Sequence, residues 1–427
     1  MTWRRIRSKN VWNSAGKRFE LGLLEFKSER FHQVLFGREA RSLSSVKDYD
    51  ELYIGPSAID LHVHGRDFEE SHKESFETLV SASNAGGVAT MVCMANTRPR
   101  LDRKKQVLEF LKRASSFRSD LRCFASVTID LNGETPSDWD QLLRLPIVGL
   151  SDDGKPILNE ALMLACLKKL KEYKKIISLH EEDTQISCGS NLHLSEASLR
   201  MGIDSSPEEA ESLMVKRDLE LAKRIKTHVH FGHISSKNSV ALFRKYRGQC
   251  SFSAELTPHH ALMKSEDILE LEDRSKTHFK VCPVIRTEEH RQALLKGAKA
   301  GLLDCFATDH APHSYLEKNL PLPQSAHGIV SLEYFYTLYL EVRRQAKMSW
   351  SQFFSAIAER PAEILGASKE KARIQKGFEA SFVIFDPSEG VELDFKKSKS
   401  NNSPLQGRRL QGKVKEHWIK GSCVYAG

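Results

Sequence analysis

Ile59-Asp60-Leu61-His62-Val63-His64-Gly65-Arg66 closes an apolar run that begins at Ala58. Residues two apart on a strand face the same way, so this stretch presents His62 and His64 side by side at a strand end, placed to hold one metal ion together. Arg66 adds a cation with a planar donor fork, which suits a carboxylate-bearing ligand. His-x-His is a short pattern that recurs by chance, so its meaning depends on what the rest of the chain brings beside it.

Outward from this stretch the chain alternates apolar, β-rich runs with helical patterns. The runs are 58–64, 88–96, 121–128, 147–153, 175–180, 227–233, 250–257 and 302–309; helical segments include 159–172, 207–225, 237–246 and 287–300. Eight strand-plus-helix units in succession predict an α/β chain, a (β/α)8 TIM barrel. A doubly wound open sheet also holds eight strands. The barrel is favoured because ligand-type residues end strands far apart in sequence, and closure brings those ends onto one face.

The flanks read differently. Short apolar runs at 21–26 and 31–36, then at 382–385, 414–418 and 423–425, predict that both termini build one small β-sandwich domain. The expected division is 1–55 with 370–427 for that domain and 56–369 for a metal-dependent hydrolase barrel. At 427 residues there is ample chain for both.

The net charge of +8 arises from 64 basic and 56 acidic residues spread along the chain. No basic stripe with interleaved aromatics is present, which argues against a nucleic-acid partner. Met1 to Asn10 carries Arg and Lys with no apolar run behind it, unlike a secretory signal, and no run of about 18 apolar residues offers a membrane span. The eight cysteines are scattered without a C-x-x-C pair. Cys93 and Cys305 lie in strand-like runs, as reduced thiols of a cytoplasmic protein do.

Four further strand ends carry metal-ligand residue types: Asp152-Asp153, His180, His233 and Asp309. Counting one of the adjacent aspartates, these join His62 and His64 to give four imidazoles and two carboxylates at a barrel mouth. That set is enough for two divalent ions sharing a ligand, an arrangement that activates water and polarises a carbonyl.

The same residues carry a resemblance. Gly55-Pro56, Ile59 to Arg66, Gly86-Gly87-Val88-Ala89-Thr90, Met94-Ala95-Asn96-Thr97 and Ser151-Asp152-Asp153-Gly154 follow one another in order. His180-Glu181-Glu182-Asp183, Gly232-His233-Ile234-Ser235, Thr257-Pro258-His259-His260, Ala307 to His313 and Ser398-Lys399-Ser400 to Leu405 continue the series. Together they resemble the amidohydrolase superfamily and, within it, the bacterial class I dihydroorotases. The resemblance implies two zinc ions per chain, one on His62 and His64, the other on His180 and His233. It makes Asp153, 27 residues before His180, the bridging ligand. Asp309 completes the first site and acts as acid and base. Arg66, Asn96 and His313 align with groups that hold the ring carboxylate, a charge-assisted contact worth about 1.5 to 3 kcal/mol. Cys282, His327 and Gly328 fall at the substrate-binding positions too.

Three positions depart from the pattern. Cys282, in Lys280-Val281-Cys282-Pro283-Val284-Ile285-Arg286, stands where an Asn is usual. A thiol is a weak donor, so one good polar contact is exchanged for a poor one. Ala95 replaces a usual Pro, and His327 precedes Gly328 where a Phe is usual. The implied activity is the reversible cyclisation of N-carbamoyl-L-aspartate to L-dihydroorotate in pyrimidine synthesis. The alternatives are another cyclic amidohydrolase of the hydantoinase or dihydropyrimidinase kind, and a non-catalytic homologue supporting aspartate transcarbamoylase. Formation of a homo-oligomer and association with the transcarbamoylase stay open, as does a lid role for residues 314–326.

Overall fold

The computed structural model describes residues 3–41 and 43–427; Met1, Thr2 and Ser42 of the expected terminal domain lie outside the described residues. Among the described residues, eight parallel strands close into a ring. In order they are Ala58–Val63, Val88–Cys93, Asp120–Cys123, Gly149–Leu150, Ile176–Leu179, His228–Phe231, Ser251–Leu256 and Cys305–Phe306. The first three pair in sequence order, and so do the last five. Two parallel bridges, Ala125 to Leu150 and Val63 to His310, join the groups at both seams. Closure is what separates a barrel from an open sheet, and it puts the carboxyl ends of all the strands at one mouth.

The residues explain the packing. All six positions of the first strand and all six of the second are buried, as continuous apolar runs covered on both faces must be. At Gly149 a Cβ would lie 1.8 Å from the Ile176 carbonyl oxygen, so only glycine lets the fourth strand approach the fifth. The helices Glu160–Tyr173, Glu209–Ile225, Lys237–Tyr246 and Glu288–Lys299 sit where the periodicity predicts. Phe76–Gly86 was not foreseen: Thr, two Ser and Asn dilute its pattern. Ser75 and Thr78 form a capping box at its start, and Gly87 at φ 78° ends it.

Both termini build one hydrogen-bonded sheet of eight strands among the described residues. Its path runs Ser422–Ala426, Arg409–Ile419, Phe382–Glu392, Tyr53–Pro56, Arg4–Asn13, Arg18–Lys27, Arg30–Phe36, with Lys47–Asp48 paired to Arg4–Asn13. Tyr53–Pro56 is the joint, antiparallel to a C-terminal strand and parallel to the N-terminal one. The Arg-rich start is itself a strand. Ile6, Val11 and Trp12 are buried, while Arg5 and Arg7 pair with Glu25 and Asp48, each at 2.6 Å.

Aromatic rings fill the space between sheet and barrel. Phe382 stacks on Trp418 at 5.7 Å, and Phe19 meets Trp350 of the helix Trp350–Phe354 edge-on at 5.0 Å. His417 pins the two layers together: its buried ring donates from Nδ1 to the Asn84 carbonyl at 3.0 Å and contacts Ser57 Oγ through Nε2 at 2.9 Å. No helix among the described residues is long and apolar enough to cross a membrane. All eight cysteines are unpaired, with Cys93, Cys123, Cys166 and Cys305 buried.

Candidate metal centre and substrate cavity

The barrel mouth gathers the six ligand-type residues read from the sequence. His62, His64 and Asp153 form one group whose donor atoms lie within 4.8 Å of one another, and Asp153, His180 and His233 form a second. Asp153 is the member common to both. Its Oδ1 is 3.2 Å from His233 Nε2, 3.3 Å from His62 Nε2 and 3.4 Å from His180 Nδ1; its Oδ2 is 3.6 Å from His64 Nε2. Asp309 Oδ1 lies 2.9 Å from His64 Nε2 and 3.6 Å from His62 Nε2.

The two adjacent aspartates divide their work. Asp152 turns away, accepting the Val127 and Thr128 N–H groups at 2.7 and 3.1 Å, which ties the third strand's loop to the fourth. Asp153 is left to face the mouth. His233 and Asp309 take up φ of 31° and 47°, and Arg66 45°. Such left-handed conformations at non-glycine residues each cost about 1–3 kcal/mol. Here they turn three chain segments at the strand ends toward one point.

Charge at this point favours cations. Burial alone would raise the carboxyl of Asp153, but His62, His180 and His233 outweigh it and hold it well below the usual range. Asp309 is likewise held down against its burial, first by the His64 hydrogen bond and then by the charge of the surrounding imidazoles. His62 is pushed well above its ordinary value, because Asp153 and Glu255 overcome its desolvation. Its Nε2 is buried without a hydrogen-bond partner, aimed at Asp153 and Asp309. An orphaned imidazole nitrogen among buried carboxylates fits a bound divalent cation, whose charge such groups require.

Two carboxylates escaped the sequence reading. Glu255 sits inside the strand Ser251–Leu256 and is fully buried. It contacts His62 Nδ1 at 3.0 Å and His230 Nε2 at 2.8 Å, and it accepts the His233 N–H at 3.2 Å. The available signal was a lone charge inside an apolar strand. Glu182, within a quoted motif but given no role, contacts the Cys282 thiol at 2.8 Å.

A cavity of about 300 Å³ opens beside the cluster, lined among others by Arg66, Asn96, Glu182, Cys282, His327 and Gly328. Arg66 is buried; it donates from Nε to the Pro312 carbonyl at 3.3 Å and from a terminal nitrogen to His313 Nε2 at 3.2 Å. His313, whose burial depresses it to about 4, is neutral and orients the guanidinium from behind. Asn96 Oδ1 accepts from His64 Nδ1 at 2.9 Å, which turns its amide toward the cavity. Burial, then the Glu182 charge, pushes the Cys282 thiol up to about 12. Gly328 has φ 146°, and a Cβ there would meet the Ala311 carbonyl oxygen at 2.6 Å. Asn402, on the C-terminal loop, braces this wall by donating to the Gly328 and Ala311 carbonyls at 2.9 and 3.1 Å.

The segment 314–326 carries two short helical turns, Tyr315–Lys318 and Leu322–Gln324, and is pinned from inside. Buried Lys318 donates to the carbonyls of Thr277, Lys280 and Ala326 at 2.9, 3.3 and 2.7 Å. Lys280 donates to those of Leu322 and Pro323 at 3.0 and 2.9 Å.

Known proteins agree with this architecture. Residues 53–424 match the Amidohydrolase family. A dihydroorotase of Anaplasma phagocytophilum is 36% identical over 392 residues, covering 90% of this chain and 86% of that protein. One of Bacillus licheniformis is 32% identical over 391 residues, covering 91% and 90%. Among solved structures, the L-hydantoinase (dihydropyrimidinase) from Arthrobacter aurescens superposes at a TM-score of 0.86 and 18% identity, over 100% of this chain and 96% of that one. The dihydropyrimidinase of Brevibacillus agri gives 0.83 at 17% identity, over 100% and 95%. At such identity the solved structures speak for the fold alone. With a closed parallel barrel, a shared aspartate at its mouth and a match spanning most of its length, the chain belongs to the amidohydrolase family, beside relatives named dihydroorotase.

Proposed function

We propose that this protein is a dihydroorotase, interconverting N-carbamoyl-L-aspartate and L-dihydroorotate in de novo pyrimidine (UMP) synthesis. The observation that carries the reading is the buried Arg66 guanidinium in the same cavity as Asp153 and Asp309. A cation beside that cluster is what a ring bearing a carboxylate needs, and a hydantoin or dihydropyrimidine ring has no use for it. The relatives matched along the chain, at 36% and 33% identity, carry this name.

The donors present would suit two zinc ions: His62, His64 and Asp309 would hold one and His180 and His233 the other, with Asp153 common to both groups. When bound, such ions lower the pKa of water and polarise an amide carbonyl. Asp309, ionised and lining the cavity, takes the proton of the attacking water and passes it to the departing ring nitrogen; ring closure runs the same transfers backwards. Arg66, held by Pro312 and His313, grips the ring carboxylate with its free donors, and Asn96 adds an amide. This fixes the carbonyl in the line of attack. Convergence of all six ligand-type residues speaks against a non-catalytic homologue.

On this reading the substrate is a small carboxylated molecule and the address is cytoplasmic. Residues 56–369 are the hydrolase barrel, and 1–55 with 370–427 the smaller domain. Association with itself or with aspartate transcarbamoylase is measurable by gel filtration of the mixed proteins.

The deciding experiment assays purified protein on carbamoyl-aspartate, dihydroorotate, hydantoin and dihydrouracil, with zinc counted per chain. Turnover confined to the first pair, with about two zinc ions, is expected. Preference for a ring lacking the carboxylate overturns the reading.

A further inference from the structure

A third group of ligand-type side chains stands beside the metal centre, sharing His180 with it, and the mechanism above leaves its other two members unused. It comprises His180, Glu182 and Cys282, with donor atoms within 4.8 Å of one another. Cys282 Sγ is 2.8 Å from Glu182 Oε2 and 3.4 Å from His180 Nε2; Nε2 and Oε2 are 3.7 Å apart. His180 faces two ways: Nδ1 looks toward Asp153 and His233, and Nε2 toward the thiol and the carboxylate. All three side chains line the cavity that holds Arg66 and Asn96.

Donor chemistry selects the ligand. Thiolate, imidazole and carboxylate together suit zinc and its softer congeners, and the sulfur disfavours magnesium or calcium, which prefer oxygen. Three protein donors with cavity space beyond them make an open site rather than a closed structural one.

We propose that His180, Glu182 and Cys282 form a third cation site for a thiophilic divalent ion, excess zinc or cadmium, and that filling it inhibits the enzyme. Binding exchanges two protons for the cation: the Cys282 thiol proton and the His180 Nε2 proton both leave to solvent, and nothing is oxidised or reduced. Because His180 would then bind through both nitrogens, this site fills after the other two. The occupant stands in the substrate cavity, so it competes with substrate. Only that competition rests on the proposed function; the binding does not.

The test uses the zinc-loaded enzyme with exposed Cys188 and Cys423 removed as Cys188→Ser and Cys423→Ser. Cadmium is titrated while bound ions per chain and the ultraviolet thiolate-to-cadmium absorption are followed. One additional ion and the absorption band are expected. Cys282→Ser loses both, and Glu182→Gln weakens binding about tenfold or more. Saturating dihydroorotate raises the cadmium needed for the band. Equal ion counts in the enzyme with and without Cys282, or no thiolate band, overturn the site; a band that substrate leaves unmoved overturns the competition. A protein that turns over no dihydroorotate yet gives the band loses the proposed function and keeps the site.

Discussion

Glu255 Oε2 lies 3.0 Å from His62 Nδ1, and its other oxygen 2.8 Å from His230 Nε2. The first contact fixes the His62 tautomer, with Nδ1–H donating to the carboxylate and the Nε2 lone pair free for a cation. Carboxylates behind ligand histidines typically govern metal affinity by 10–100-fold. In Glu255→Gln the charge is lost while the shape is kept. Zinc affinity, measured by competition with a chelator, falls by about that factor, whereas in a His62→Asn background, where the carboxylate has no ligand imidazole to act on, Glu255→Gln costs little more. Unchanged affinity in Glu255→Gln would remove this residue from the centre.

Arg66 and His313 make a second testable pair. Lysine at position 66 retains the charge but has no planar fork, so it cannot hold the Pro312 carbonyl, His313 and a carboxylate together. Loss of a charge-assisted contact worth about 1.5–3 kcal/mol lowers kcat/KM by roughly 10- to 150-fold. The fall in Arg66→Lys is carried mainly by KM for dihydroorotate. A matching loss on an uncarboxylated ring would show that Arg66 acts on structure instead.

The barrel was legible because buried parallel strands are continuous apolar runs, so seven of the eight observed strands fall inside the runs read from sequence, and Asp120–Cys123 starts one residue early. The six ligand-type residues were legible since they end those runs. What was not legible depends on partners distant in sequence. Glu255 reads as an oddity until His62, 193 residues away, stands beside it. Asp152 and Asp153 are equal candidates by residue type, and the resemblance alone favours Asp153; the physical reason is the Val127 and Thr128 amides, which claim Asp152. Arg4–Asn13 is absent from the apolar runs read in sequence because its burial depends on strands from elsewhere in the chain.

Segment 314–326 offered no periodicity because its order comes from Lys318, which reaches three backbone carbonyls from a site only 2% exposed. In Lys318→Met the Ala326 carbonyl is left bare, at about 1–3 kcal/mol, while the Thr277 and Lys280 carbonyls keep the Lys280 and Gly328 N–H groups but lose the tie to the segment. Local opening limits the total. Limited proteolysis therefore cuts within 314–326 faster than in the parent, and KM rises because His313 and Arg66 sit at its root. Protection equal to the parent's would mean that Lys280 alone holds the segment.

His417 supplies an acid-sensitive lock between sheet and barrel. Full burial depresses its imidazole from the ordinary 6.5 to about 3, although the Asn84 carbonyl pulls the other way. Between those values the unfolded chain binds a proton that the folded chain refuses. The stability contribution is therefore whole above pH 6.5 and declines as pH falls toward 3, by up to about 1.4 kcal/mol per pH unit. His417→Gln keeps a polar side chain and removes the titration. Urea midpoints place the variant below the parent at pH 8, because the Ser57 and Asn84 contacts are less well made, and the gap narrows at pH 5. Parallel losses at the two pH values would assign the acid sensitivity to other buried histidines, of which His290, depressed to about 3 by burial and Arg286, is the next to substitute.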